Sequence, residues 1–355
     1  MRLSRSGAAI AVLLLAISPG SGCRPERDPH VLRLGYAPNL THAQALVGLA
    51  RGEFDRALPA PYRLEPMPFN AGPAIIEALF AGELDMAYVG PVPAINGFVQ
   101  SRGRALHIVS GSASGGSGLA VREGAGIESE KDLEGRGIAV PQFGGTQDVA
   151  LRSFLAERGF KTYEHGGSVR VLSVPNPETI TLFKQGQLDA AMVPEPWLSR
   201  LILQAGARLL VDERSLWPGG RYATTVIVAR QGFMKDHPAV VRALLEAHVG
   251  VTDWIGANPE QAVASIRAQV ASVFGKALPE EIVSAGLSRV EPLVDPLWKS
   301  IEKDAQNARA LGYLKRPPEL AGLIDLAILN GLLDGMGRPR VSAGPLGTAA
   351  VAGGG

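Results

Sequence analysis

The stretch "PQFGGTQD", residues 141–148, combines two glycines, a hydroxyl and the start of a helical pattern. Gly144-Gly145-Thr146 ahead of a helix offers backbone N–H groups, a side-chain hydroxyl and the positive end of a helix dipole. That chemistry suits an oxyanion held without a formal positive charge. It does not suit a nucleotide, because the lysine of a Walker loop is missing and the glycines do not follow G-x-G-x-x-G. The same residue types also serve as a plain turn and helix cap, so the two readings stand together. Covalent and metal chemistry find less support. No G-x-S-x-G elbow occurs. The six histidines, at 30, 42, 107, 165, 237 and 248, form no close pair at metal-ligand spacing, and the single cysteine makes neither a metal cluster nor a disulfide framework. No metal, cofactor or catalytic residue is expected.

Other loops carry similar chemistry at similar places. "APNLTHAQ" brings Asn39, Thr41 and His42, with Thr41 able to cap the next helix. "GPVPAI" brings Gly90, where bare backbone can approach closely, and Pro91, which can start a helix. The glycine loop adds Gln142, Gly144, Gly145, Thr146 and Gln147. "PEPW" adds Glu195 and Trp197. A Ser/Gly loop supplies Ser112 and Ser114, and Thr224 lies on a strand after it. Each has an ordinary alternative. His42 fits a helix-start surface position as well as a ligand contact. Trp197 fits a hinge core or a stacking surface. Glu195 would repel an oxyanion, would suit an amine, and is favoured structurally at a helix N-terminus. No Arg or Lys falls in the five loops, which points to a weakly hydrated oxyanion or a largely neutral molecule.

An internal repeat positions these loops. "LFAGELDMAYVGP" from residue 79 matches "FKQGQLDAAMVPE" from residue 183: Gly82 falls on Gly186, Leu84 on Leu188 and Asp85 on Asp189, an offset of 104 (186 − 82). In each copy a helix ends at a glycine and a buried strand follows. The recurrence of Asp85 and Asp189 indicates a turn role. Upstream, "VLRLGYAPNL" and "GIAVPQFGG" read as strand and loop at the same offset, and "YRLEPMPF" and "VRVLSVPN" as strands leading to Pro and a helix. Each copy is strand–helix–strand–helix–strand, which builds a parallel sheet flanked by helices. Ligands in such sheets sit beyond the carboxyl ends of the strands. The runs at 106–123 and 221–230 are placed to cross between lobes. This gives lobe 1 as 31–112 plus 222–338 and lobe 2 as 113–221, with a cleft between them and the crossings as a hinge.

Composition agrees with an ordinary exported protein. The 355 residues, 46% apolar, are enough for two domains, and the net charge of +1 gives no basis for nucleic-acid binding. Met1 to Ser6 carries two arginines, an apolar run of ten follows, and "SPGSGC" ends at Cys23. This predicts an export signal over 1–23. Small residues before a lone cysteine resemble a bacterial lipoprotein box, which implies lipidation of Cys23 and a membrane anchor on the outer face of the cytoplasmic membrane or in the periplasm. Gly20 departs from that pattern, so a plain cleaved signal stays open. Residues 339–355 predict a disordered tail.

The series "LRLGYAPNLTHAQALVGLARGEF", "FNAGPAIIEALFAGELDMAYVGPVPAI", "GRGIAVPQFGGTQDVALRSFLAERG", "LDAAMVPEPW" and "WPGGRYATTVIV" resembles the substrate-binding proteins of ABC importers in the nitrate/sulfonate/taurine group, which share the fold of thiamine-pyrimidine-precursor binding proteins. The resemblance implies an α/β, two-lobed periplasmic-binding-protein fold of type II, each lobe a mainly parallel sheet flanked by helices, with two crossing strands as hinge. It implies a monomer that captures a small solute and delivers it to a permease and ATPase, without chemistry. An organosulfonate is the preferred ligand, with nitrate, taurine or a thiamine-pyrimidine precursor as alternatives. A sensor's ligand-binding subunit shares the same clamp. Relatives of the fold include enzymes of pyrimidine and menaquinone precursor synthesis, and the pyrimidine enzymes use iron and a cysteine-rich segment that this chain lacks.

Overall fold

A computed structural model describes residues 28–315 and 317–348. The predicted export signal and Cys23 lie outside the described residues. Eleven strands are described: β1 Val31–Tyr36, β2 Arg63–Pro68, β3 Met86–Val89, β4 Leu106–Gly115, β5 Ser117–Arg122, β6 Gly137–Val140, β7 Arg170–Ser173, β8 Ala190–Pro194, β9 Ala207–Asp212, β10 Ala223–Arg230 and β11 Val290–Pro292. They form a six-stranded sheet ordered β11-β4-β10-β3-β1-β2 and a five-stranded sheet ordered β7-β6-β8-β5-β9. These are the two lobes.

The 104-residue repeat is a repeat of register. Leu34 pairs with Met86 and Gly35 with Ala87 in the first lobe; Ile138 pairs with Ala190 and Ala139 with Ala191 in the second. Every one of the four positions is displaced by 104. β2-β1-β3 and β7-β6-β8 are both parallel. β3 and β8 are buried along their whole length, because helices cover both faces of a parallel sheet. That is why "MAYV" and "AAMVP" run apolar without alternating. β2, with Pro66 and Pro68, stands at the sheet edge, where a missing N–H breaks no ladder.

The sheets are mixed, since each parallel trio is extended by a strand of opposite direction: β10 beside β3 and β5 beside β8. The repeat reaches these strands too. Val226 faces Val89 and Gly118 faces Val193; four residues on, Arg230 and Arg122 end their strands. Arg230 reaches Asp85 at 3.0 Å and Arg122 reaches Asp189 at 3.1 Å. Asp85 and Asp189 therefore anchor strand ends, as their turn reading anticipates.

Strand β4 continues into β5 with one interruption. Gly115 and Gly116 both have φ +76. The passage from first to second sheet thus lies at Gly116, a few residues beyond the expected 112/113 boundary, because β4 stays paired with β10 and β11 as far as Gly115. The return runs through Gly219 and Gly220, also left-handed, before β10. Lobe 1 is completed by the helices Pro238–Ala257, Pro259–Phe274, Glu280–Leu287, Trp298–Ala310 and Ala327–Gly335.

The C-terminal segment differs from expectation. Rather than a disordered tail from 339, the chain is placed as far as Thr348. Val341 exchanges two hydrogen bonds with the Asn330 amide, and Leu346 is buried. Ile324 N–H donates to Leu346 O, and Thr348 N–H donates to Ile324 O. Low hydrophobicity over 339–355 hid one apolar anchor and one short backbone ladder.

A Cβ on Gly116 would stand 2.5 Å from Val290 Cγ2 and 3.1 Å from Thr41 Cγ2, on a backbone that already has φ +76. Gly116→Ala should cost about 1–3 kcal/mol from left-handed strain and overpacking. Urea unfolding checks this as a lowered midpoint with unchanged slope.

Candidate functional site

The strand ends of both lobes face one another across a cavity of about 40 Å³. Lobe 1 contributes the loop after β1, the loop after β2, the loop after β3 and the start of β10. Lobe 2 contributes the loops after β6, β7 and β8. Asn39, Thr41, His42, Gly90, Gln142, Gly145, Thr146, Gln147 and Thr224 all line it. So do Asn70, Ala71, Gly72, Asn176 and Thr225, which the sequence reading did not select as ligand residues. Asn70 and Asn176 follow the second strand of each repeat, so the repeat held the signal that would have found them.

The electrostatics come from helix ends. The helices Gly72–Phe80, Pro91–Gln100, Thr146–Glu157 and Asn176–Lys184 all begin at the cavity, and none has a side-chain cap bond at its N-cap. Each brings a positive dipole end to the cavity, with Pro73, Pro91, Pro93 and Pro177 leaving few free N–H groups in three of the first turns. Three buried polar atoms among the lining residues have no partner: Thr146 Oγ1, Thr225 Oγ1 and Asn176 Oδ1. The Asn176 amide, turned by half a rotation, presents its NH2 instead. No lining residue carries a formal charge. His42 is neutral, because burial pushes its pKa down to about 3. Its Nδ1 accepts the Ala37 N–H at 3.2 Å, so the proton sits on Nε2.

The glycine loop is more selective than the sequence reading had it. Gly144 N–H donates to Asp148 Oδ2 at 2.8 Å, and Gly145 N–H closes a turn on Gln142 O at 3.2 Å. Gly144 is therefore not at the cavity; it holds the turn in a left-handed conformation with φ +72. Asp148 also accepts from Arg152 Nε at 2.7 Å and from the Tyr313 hydroxyl of lobe 1. What faces the cavity from this loop is the first turn of the helix and the Thr146 hydroxyl. Gly90 matters for the same reason: a Cβ there would lie 2.2 Å from Thr146 Oγ1, across the two lobes.

Other expected contacts lie elsewhere. Pro91 is buried in the first turn of its helix. Ser112 donates to Gln44 Oε1 at 3.1 Å, and Ser114 Oγ accepts Tyr222 N–H at 3.1 Å, so both serve β4 packing. Trp197 Nε1–H donates to Asn39 Oδ1 at 2.8 Å; this bond joins the lobes, and it turns the indole away from the cavity. Glu195 is fully buried, with its carboxylate accepting from Ser199 N–H, the Ser199 hydroxyl and Arg289 Nη1 at 3.0, 2.9 and 3.0 Å. Arg289 belongs to lobe 1, so this pair also bridges the lobes. Among the described residues no group of His, Cys, Asp and Glu could hold a metal ion, and no helix is long and apolar enough to cross a membrane.

The histidines set a pH dependence. His248, fully buried, accepts from the Tyr88 hydroxyl at 3.0 Å and donates to Gly111 O at 3.0 Å; burial lowers its pKa to about 4. For His42 and His248 the unfolded chain binds protons below about 6.5, while the folded chain does not until about 3 and 4. Each therefore subtracts stability as pH falls through that window. His42→Asn keeps an acceptor for Ala37 N–H and removes one such proton. The variant should lose less stability than the parent between pH 6.5 and 4, by up to about 1.4 kcal/mol per pH unit, as read from urea unfolding at several pH values.

Known proteins share this architecture. The alkanesulfonate-binding protein SsuA from Xanthomonas axonopodis pv. citri, bound to MOPS, superposes with a TM-score of 0.68 at 22% identity, over 82% of this chain and 96% of that one. The periplasmic nitrate-binding protein NrtA from Synechocystis PCC 6803 does so with 0.67 at 15% identity, over 80% and 82%. In sequence, a Bacillus subtilis (strain 168) protein named for binding aliphatic sulfonates is 25% identical over 309 residues, 85% of this chain and 88% of that protein. The fold is that of the periplasmic binding proteins. A family model matches residues 26–272, well over half of the length, and the chain belongs to the NMT1-like family.

Proposed function

We propose that this protein is an extracytoplasmic solute-binding protein of an ABC importer, that it captures a small oxyanion-bearing solute between its lobes, and that it delivers the solute to a permease. A short organosulfonate is the preferred solute, with nitrate and taurine close behind. Lipidation of Cys23 would hold the protein, as a monomer, at the outer face of the cytoplasmic membrane. The carrying observation is a small cavity between the lobes, lined by polar side chains among apolar ones and by no charged residue, onto which helix N-termini from both lobes converge. A sulfonate or nitrate spreads one charge over three oxygens and is weakly hydrated. It can exchange water for the Thr146 and Thr225 hydroxyls, the Asn176 amide, His42 Nε2–H and the first-turn N–H groups. A space of about 40 Å³ admits such a head group and little else. A longer tail needs a partly open cleft. The relatives named for sulfonates favour the same choice. The relatives are named as binding proteins, so carriage is preferred over catalysis.

Calorimetry and thermal shift with ethanesulfonate, taurine, nitrate and a thiamine-precursor pyrimidine test the reading. Ethanesulfonate should raise the melting temperature by mass action. Thr146→Ala and His42→Ala should each weaken its binding about tenfold, the effect of one hydrogen bond to a charged group. If no anion in the set stabilises the parent, the proposal fails; if only the pyrimidine does, the alternative ligand takes its place.

Gly90→Ala tests closure separately. Its backbone, at φ −64 and ψ 152, suits alanine; only the opposite lobe's Thr146 obstructs the new methyl. The variant should melt close to the parent without ligand, bind ethanesulfonate at least tenfold more weakly by the loss of one or more such bonds, and show no ligand-induced compaction in small-angle scattering.

A further inference from the structure

A second cavity separates the lobes on the other side of the Thr146–Glu157 helix, and it is of a different kind. Its volume is about 520 Å³, within the range of small-molecule sites, roughly 300–1,000 Å³. Phe154, Leu216, Trp217, Leu297 and Trp298 give it apolar and aromatic walls. They come from lobe 2, from the return crossing and from lobe 1. Two polar atoms of lining residues have no partner: Ser153 Oγ and Glu213 Oε2. Glu213 is 1% exposed, and an unpaired carboxyl that deep is costly. Leu297 has φ +55, one of two non-glycine residues with positive φ among the described residues. Left-handed backbone at a branched residue persists where its surroundings enforce it, and such strain gathers at ligand sites.

We propose that this cavity is a second ligand site, for a compact aromatic molecule carrying one protonated amine. The walls favour a ring between Trp217 and Trp298, and the acidic floor selects the charge. Glu213 lies near two further carboxyls: Asp212 pushes against its ionisation, and Glu213 in turn pushes against that of Asp304. The basic side chains that line the cavity, Arg221, Lys299 and Lys303, are balanced there by Glu157, Glu213 and Asp295. Lys303 pairs with Glu157 at 3.8 Å, Arg221 with Glu291 at 2.8 Å, Arg214 with Asp212, and Lys299 stands over the Trp298 ring at 5.7 Å. Glu213 Oε2 makes no well-formed hydrogen bond, although the Ser117, Tyr222 and Trp217 side chains lie close to the carboxyl; an ammonium group would add a charged partner and relieve the crowding of like charges. Burial has pushed the Glu213 carboxyl up to about 7, held from rising further by the neighbouring Ser117, Tyr222 and Trp217 side chains, so an arriving cation meets a group ready to ionise. Because both lobes build the walls, an occupant would favour the closed arrangement.

The test uses the mature full-length protein with phenethylamine and its neutral counterpart 2-phenylethanol, each titrated by calorimetry. Phenethylamine should bind the parent and bind Thr146→Ala equally well, which separates this site from the first cleft. Glu213→Gln keeps the shape and removes the charge; it should weaken the amine about tenfold and leave phenylethanol unchanged. Ser153→Trp fills the space and should abolish binding of both, with a melting scan confirming that each variant is folded. No binding of phenethylamine to the parent would overturn the proposal. So would parent-like binding by folded Ser153→Trp, or equal affinity of amine and alcohol for the parent.

Discussion

A single strand path that belongs to two sheets governs this structure. From Leu106 to Arg122 the chain is extended, except where Gly115 and Gly116 turn left-handed. Before the break the strand pairs with β10 and β11; after it, with β8 and β9. No side chain fits at the break. A Cβ on Gly115 would meet Arg289 O at 2.6 Å and one on Gly116 would meet Val290. Glycine is required there by conformation and by space together. The return crossing also turns left-handed, at Gly219-Gly220, but without the crowding. With two short joints and no other covalent link between lobes among the described residues, the lobes have a hinge axis and a cleft opposite it. The repeat's strand ends then face one another by construction.

The cleft presents no formal charge, and its fold supplies direction instead. A parallel strand followed by a helix always delivers a helix N-terminus to the same sheet edge. Two repeats double the number, and hinge closure brings both sets together. The arrangement needs small residues at the approach points. Gly90 admits Thr146, and Gly72, where a Cβ would meet Pro93 Cγ at 2.6 Å, admits the neighbouring helix. It also needs turns whose own N–H groups are satisfied internally. Asp148 does this for the glycine loop and is in turn tied to Arg152 and Tyr313.

Much of this was legible in the sequence, and the limits have physical causes. The 104-residue offset marked which residues are equivalent in the two sheets, and equivalent local sequences adopt equivalent registers. Loops after strands marked the cleft, because parallel topology fixes which ends carry ligands. Side-chain direction was not legible. Trp197 and Glu195 sit in a loop that does face the cleft, yet their partners, Asn39 and Arg289, lie 158 and 94 residues away in the chain (197 − 39; 289 − 195). Only the closed fold brings them together. Gly144 read as a ligand donor because the sequence cannot show that Asp148, four residues later, takes its N–H. The ordering of residues 341–348 depends on Asn330 and Ile324, which are also remote. Long-range pairing is the information that local pattern lacks.

Several contacts between the lobes are polar, and they stand beside an apolar one, Val149 of the lobe 2 helix, which is fully buried in the lobe 1 core. Trp197 to Asn39, Leu40 N–H to Glu195 O, Arg289 to Glu195 and Tyr313 to Asp148 span the cleft. On opening, each group exchanges its partner for water, so the net cost per bond is about 0.5–1.5 kcal/mol, with more for the charged pair. Apolar closure at roughly 25 cal/mol per Å² would hold far more firmly for the same contact area. Further apolar surface between the lobes, around Trp217, Trp298 and Phe154, is held apart across a cavity of about 520 Å³. The closed state therefore gains little from it while the cavity is empty. Polar partners that water can replace, beside an apolar contact at Val149, set an interlobe balance that a ligand worth a few kcal/mol to one arrangement would shift.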